Sequence, residues 1–266
     1  MLEKKKLTIT RRGLTALLAV ILLVSLGYIG WKALDYSRGA KDYESAVKIV
    51  DIPTLTAPSS PAEEEPGWEI PEELLDILAQ IDLEALKETN GEVIGWIVIP
   101  GTEVSYPILQ GEDNRYYLNH TWTGVESSVG AIFMECKCAP DFTDYNTILY
   151  GHRMRNGSMF GGLKNYNTLE YWREHPVVYI ITSDKVYAYD IFASFETGLR
   201  EIVYRLGIQE TEDKEELIAF ALGRSVIDTG ITPTAEEQVL TLSTCTGRGH
   251  ATRWVLQAVL RAQADR

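Results

Sequence analysis

The rhythm of apolar positions changes several times along this chain. The first stretch is unbroken: Leu14 to Trp31, LTALLAVILLVSLGYIGW, runs 18 residues without a charge. As a helix it would be about 27 Å long, close to the hydrocarbon thickness of a bilayer, so the pattern predicts a membrane-spanning helix over 14–31. Lys4, Lys5, Lys6, Arg11 and Arg12 precede it. Basic residues collect on the cytoplasmic side of a span, which makes 1–13 a cytoplasmic basic tail and leaves the rest of the chain outside a single-pass anchor in the cell membrane. A cleaved signal peptide is the competing reading, with Ser25 and Gly27 as small residues near a cleavage point. Against it, the apolar run continues into Tyr28, Ile29 and Trp31.

Beyond the span the pattern lapses. Asp51 to Gly67 holds Pro53, Pro58, Pro61 and Pro66 among serines and glutamates, a composition that stays extended and solvated, and 32–70 reads as an extracytoplasmic linker. Pro71 then opens EELLDILAQIDLEALKE, where Leu74, Ile77, Leu78, Ile81 and Leu86 recur near helical spacing and Glu72 and Glu73 suit the positive first turn. One amphipathic helix is predicted there, leading into a folded domain over 71–266. From Val93 the period shortens to that of strands, in eight runs: VIGWIVI, VSYPILQ, VGAIFME, NTILYG, VVYIIT, KVYAYDIFASFET, QVLTLST and RWVLQAVL. A mainly β domain follows, either a closed barrel or a sandwich. Between the sixth and seventh runs, DKEELIAFALGRSVI places Leu217, Phe220 and Ala221 at helical spacing, so a helix interrupts the strands.

Charge narrows the partners. Of 25 basic and 38 acidic residues, five and one respectively lie in the first 13 positions, leaving 20 against 37 in the remainder. A domain so acidic lacks the clustered lysine and arginine that phosphate backbones require, which excludes nucleic acid. Three cysteines leave at least one thiol unpaired within the chain. Cys136 and Cys138 are two apart on the predicted strand VGAIFMECKC and would share a face there. They make a poor disulfide pair and have no further metal-type spacing around them, so they read as bystanders, and no metal or other cofactor is expected.

The remaining cysteine sits differently. Cys245 closes the apolar strand of Val239, Leu240 and Leu242 and precedes the polar turn TGRGHAT. A thiol at a rigid strand end is well placed as a nucleophile, but only a few per cent is thiolate at neutral pH without a neighbouring cation or base. Among the four histidines, His152 follows Thr147, Ile148, Leu149, Tyr150 and Gly151 and so also sits at a strand end. It is the preferred acid/base residue. His120 in YYLNHTW, His175 before Pro176, and His250 inside the turn are weaker alternatives. Arg253 begins the strand expected to return antiparallel beside Cys245, where its guanidinium would reach a developing oxyanion. Arg248, between Gly247 and Gly249, competes for that role, and a solvated edge-strand charge is the bland alternative for Arg253.

These residues carry a more specific resemblance. TLSTC (Thr241 to Cys245) with an arginine eight residues on, NTILYGHRM (Asn146 to Met154) and NGSMFGGLKNY (Asn156 to Tyr166) resemble the sortase family. IGWIVIPGTEVSYPILQGEDNRYYLNH (Ile94 to His120) is similar to class B most closely, and the likeness runs from about Leu83 to Leu260. It implies an eight-stranded sortase-type β-barrel with N-terminal helices and a helix between strands six and seven. It also implies a cysteine transpeptidase that cleaves a C-terminal sorting signal, of Asn-Pro-x-Thr or related type, at a threonine carbonyl. The acyl group passes to an amine of a peptidoglycan precursor or cross-bridge, anchoring secreted surface proteins. Carried over, the catalytic residues are Cys245, His152 and Arg253, and the substrate-binding residues are Asn114 and Leu118 from DNRYYL, Tyr150 from LYGH and Ser243 from TLSTC. The chain departs from the family pattern in the cysteines of MECKC and the extra Arg248 and His250 of the turn. Three other readings stay open: a cysteine peptidase or cell-wall hydrolase with water as acceptor, a membrane-tethered binding module in which Cys245 is inert, and a pilin-polymerising sortase, against which stands the lack of an aspartate-aromatic lid motif before the barrel.

Overall fold

Eight strands close on themselves in the computed structural model, which describes residues 11–50, 69–245 and 251–266, with the backbone alone at Cys245. The spacer expected over 51–67, the first ten residues of the basic tail, and the turn holding Arg248 and His250 lie outside the described residues. In chain order the elements are α1 (Arg11–Val50), α2 (Glu72–Ala79), α3 (Leu83–Thr89), β1 (Val93–Val98), β2 (Ser105–Leu109), β3 (Ile132–Met134) and β4 (Asn146–Tyr150). There follow α4 (Leu169–Glu174), β5 (Val177–Ile181), β6 (Lys185–Gly198), α5 (Thr211–Arg224), β7 (Val239–Cys245) and β8 (Thr252–Asp265). Around the barrel the order is β1-β2-β3-β4-β7-β8-β6-β5, with β5 pairing back to β1. All neighbours are antiparallel except β2 with β3 and β4 with β7. The expected eight-stranded barrel and the helix between its sixth and seventh strands are both present.

The strands form where β-branched and aromatic residues alternate, and they are buried on both sides over much of their length. In the main apolar cluster, Trp96, Ile108, Tyr179, Tyr189 and Leu256 are almost fully enclosed. Outside β6, Phe192, Phe195, Leu217 and Ala221 form a second apolar layer under α5. Pro107, which has no N–H to donate, sits in β2 before the two residues, Ile108 and Leu109, that pair with β3.

Three expectations need correction. The single helix predicted over 72–88 is two, because Asp82 starts α3 as its N-cap, accepting the Ala85 N–H at 3.0 Å. Arg266 bonds the Ala79 and Ile81 carbonyls exposed by that break. The strand VGAIFME is shorter than its sequence, because Gly130 adopts a left-handed φ of 63° and pairing begins only at Ile132. Cys136 and Cys138 therefore lie in a turn after β3 and not on the strand. Cys138 is buried, and burial pushes its thiol up to about 12; burial and then Glu135 raise that of the half-buried Cys136. Finally, residues 32–50, read as linker, continue α1 as helix, whose Gly39, Tyr43, Ala46 and Val50 recur at helical spacing and are buried.

Candidate active site

The parallel pairing of β4 with β7 brings the preferred residues together. Their register sets Tyr150 opposite Ser243, and the Gly151 N–H donates to the Ser243 carbonyl at 3.2 Å. Two positions further along each chain stand His152 and Cys245, so the two strand ends meet although 93 residues separate them. On the other side of β7, Cys245 is the register partner of Arg253, and Arg253 is in turn opposite Thr197 of β6. Adjacent strands lie about 4.8 Å apart, so His152, Cys245 and Arg253 occupy three neighbouring backbone positions at one rim of the barrel. The side chain of Cys245 lies outside the described residues.

A groove of about 320 Å³ opens at this rim. Asn114, Leu118, Tyr150, Ser243, His152 and Arg253 all line it, so the described site residues expected from the sequence converge on one place. His152 has a definite orientation: its Nε2 lies 2.5 Å from the Leu118 carbonyl. A carbonyl accepts only, so the Nε2 position carries a proton. Gly151 admits no side chain, since a Cβ there would meet Ile132 and come within 2.7 Å of Phe160. This close packing sets the direction in which His152 leaves the strand. Arg253 Nη1 donates to the Thr252 carbonyl at 3.1 Å, and the Thr252 hydroxyl donates to Glu196 Oε1 at 2.7 Å, fixing the start of β8.

The other two histidines among the described residues are engaged elsewhere. His120 stacks on Tyr116 at 3.9 Å between ring centroids, with Nδ1 2.8 Å from the Tyr116 carbonyl. His175 ends α4, with Nδ1 2.9 Å from the Pro100 carbonyl.

Sequence reasoning missed several groove residues, Glu135, Leu199 and Tyr204 among them. Glu135, only 7 % exposed, is the most consequential. Its Oε2 accepts the Asn114 amide at 2.6 Å and the Tyr150 hydroxyl at 3.0 Å, while Asn114 Oδ1 accepts the Cys136 N–H at 2.8 Å. Burial, then the Glu135 charge, pushes the Tyr150 hydroxyl far above its ordinary value, which keeps it a neutral donor. The available signal was an acid closing an apolar run, VGAIFME. Leu199 and Tyr204 come from the connection between β6 and α5, and the Tyr204 and Ser243 hydroxyls are 2.8 Å apart. Apolar residues in GLREIVYRLG, outside any predicted strand or helix, were the trace they left.

Comparison with known proteins agrees with this geometry. A family model described as the sortase domain matches residues 97–261. Sortase B of Listeria monocytogenes is 34% identical over 164 residues, which cover 62% of this chain and 67% of that protein. Among solved structures, a B. anthracis sortase B in complex with AAEK1 superimposes with a TM-score of 0.69 at 29% identity, covering 86% of this chain and 98% of that one. A Staphylococcus aureus sortase B–substrate complex gives a TM-score of 0.63 at 28% identity, covering 66% and 83%. With more than half of the chain matched by the family model and its barrel shared with solved sortase B structures, the chain belongs to the sortase family of cysteine transpeptidases, in its class B.

Proposed function

We propose that this class B sortase is anchored by its N-terminal helix outside the cell membrane, cleaves a C-terminal sorting signal at a threonine carbonyl and joins the acyl group to a peptidoglycan amine. The observation that carries the reading is the convergence of His152, Arg253 and the end of β7 on one groove. In this reading the Cys245 thiolate attacks the scissile carbonyl and the resulting oxyanion is stabilised by Arg253. His152 protonates the departing amine, leaving a thioester on Cys245. The acceptor amine then attacks the thioester as His152 takes its proton. Asn114, Leu118, Tyr150 and Ser243 hold the sorting signal. The Leu118 carbonyl suits this cycle, because a hydrogen bond to Nε2 steadies the ring and fixes which nitrogen keeps its proton.

The anchor is supported by composition: α1 is uncharged from Leu14 to Trp31, and the side chains there face outward from the chain's own core. Tyr28 and Trp31, with Lys32 beside them, suit the outer boundary of a bilayer.

The test uses the full chain in detergent with a library of Asn-Pro-x-Thr peptides, with and without an added amine, and mass spectrometry of the products. Ligated product that depends on Cys245 supports the reading, with Cys245→Ala abolishing it and Arg253→Ala lowering turnover about 10²- to 10³-fold. Hydrolysis alone at high amine concentration would reassign the chain to a peptidase. A native Cys245 inert to alkylation would point to a binding module.

A further inference from the structure

Between Asp35 and Val50, helix α1 lies against the connection that ends at Gly130. Asp42 Oδ2 accepts the hydroxyls of Thr121 at 2.6 Å and Thr123 at 2.8 Å, and its main-chain carbonyl accepts the Trp122 indole N–H at 2.8 Å. Ser128 donates its hydroxyl to Asp35 at 2.5 Å. In the middle of this contact, the buried Tyr43 hydroxyl donates to the Gly130 carbonyl at 2.6 Å.

Gly130 is packed directly on His152. A Cβ there would stand 2.8 Å from the imidazole Cδ2 and 2.9 Å from the Leu118 carbonyl that bonds the same ring. Tyr43 also reaches the segment that bonds the His152 main chain. Its ring meets Tyr106 edge to face, with centroids 5.3 Å apart, and the Tyr106 hydroxyl accepts the Met159 N–H at 3.0 Å. The next residue, Phe160, donates its N–H to the His152 carbonyl at 3.0 Å. One side chain of α1 thus supports both the glycine packed on the imidazole and the segment bonded to the His152 backbone.

We propose that Tyr43 is a positioning residue for His152, so that the docked half of the membrane-side helix is part of the scaffold of the active site. The inference rests on the acid/base reading of His152. Its physical basis is that a side chain aimed to within about 0.5 Å needs neighbours that are themselves held, and Tyr43 holds Gly130 against this ring and, through Tyr106, the segment that bonds the His152 backbone. The coupling passes through two short chains of contacts, each with a fixed geometry.

The test compares the full chain with Tyr43→Phe, which keeps the ring against Tyr106 and removes only the donor to Gly130. Turnover is measured on the best peptide of the Asn-Pro-x-Thr library, and the His152 ring is followed by NMR of histidine-labelled protein, its signals assigned with His152→Gln. The expected result is a fall in kcat of about 5- to 30-fold, equivalent to losing one or two modest interactions, with KM nearly unchanged and the His152 signals shifted. Gly39→Leu is a second variant, remote from the groove. A Cβ at Gly39 would lie 2.7 Å from Val129 Cγ2, forcing α1 and the 121–130 connection apart, and the same pattern is expected. Unchanged kcat and unchanged ring signals in Tyr43→Phe overturn the proposal. Shifted ring signals with full turnover would uphold the positioning of His152 and refute its acid/base role, so the two failures are distinguishable.

Discussion

Glu135 exemplifies how single residues build this site. A carboxylate that is 7 % exposed must be compensated by donors, and here the donors are two groove side chains, Asn114 and Tyr150. Its charge is thereby spent on orienting them toward the cleft. Glu135→Gln keeps the volume and one carbonyl oxygen that can accept both bonds, which go to the single atom Oε2, but it removes the charge that strengthens them. KM for the peptide is expected to rise about 5- to 10-fold, from the loss of about 1–1.5 kcal/mol of hydrogen bonding, with kcat within about threefold of wild type. Steady-state kinetics decide it, and an unchanged KM would remove Glu135 from the binding role. Asn114 and Tyr150 were legible through local strings, DNRYYL and LYGH. The acid that joins them was not, because it lies 21 and 15 residues away from them and meets them only when β3 pairs with β4.

At the level of elements, the strands that present the site are tied beneath it by a buried polar chain. Asn146 of β4 donates to the Val203 carbonyl at 3.0 Å and accepts the Thr241 hydroxyl of β7 at 2.7 Å. Thr241 in turn accepts the amide of Gln257 of β8 at 2.9 Å. Thr241 and Gln257 are fully enclosed, so water cannot replace a lost partner. Thr241→Val is nearly isosteric yet strands the Asn146 acceptor and the Gln257 donor. It is expected to cost about 1–3 kcal/mol per unsatisfied group, read as a lower Tm. Because Val203 sits beside Tyr204 in the same turn, looser peptide binding should accompany it; a Tm within a degree of wild type would show that the tie is unimportant. The strands themselves were readable from alternation, and α5 from its helical period. Breaks were harder: Asp82 divides the predicted 72–88 helix because its carboxylate caps a new start, and Gly130 shortens β3 because its left-handed backbone cannot pair.

For the whole molecule, burial against its two apolar clusters makes stability depend on keeping several ionisable groups neutral. Cys138 is held up to about 12, mainly by burial, and Tyr145 up to about 12 by burial and then by Glu237 and Glu236. Unfolded thiols titrate near 8.5 and phenols near 10. A folded-state value above the unfolded one gives stability that is complete below the unfolded pKa. It is lost as pH climbs toward the folded value, because only the unfolded chain releases the proton. Stability should therefore hold through about pH 8 and then decline, the thiols acting first and the tyrosines from about pH 10. Removing the buried thiol isolates the first step. Cys138→Ala should begin with a lower Tm at neutral pH, from the small cavity it leaves, yet lose less Tm than wild type between pH 8.5 and 10. Thermal melts of both proteins across that range give the answer, and parallel curves would mean that Cys138 is not the group whose burial opposes alkaline pH.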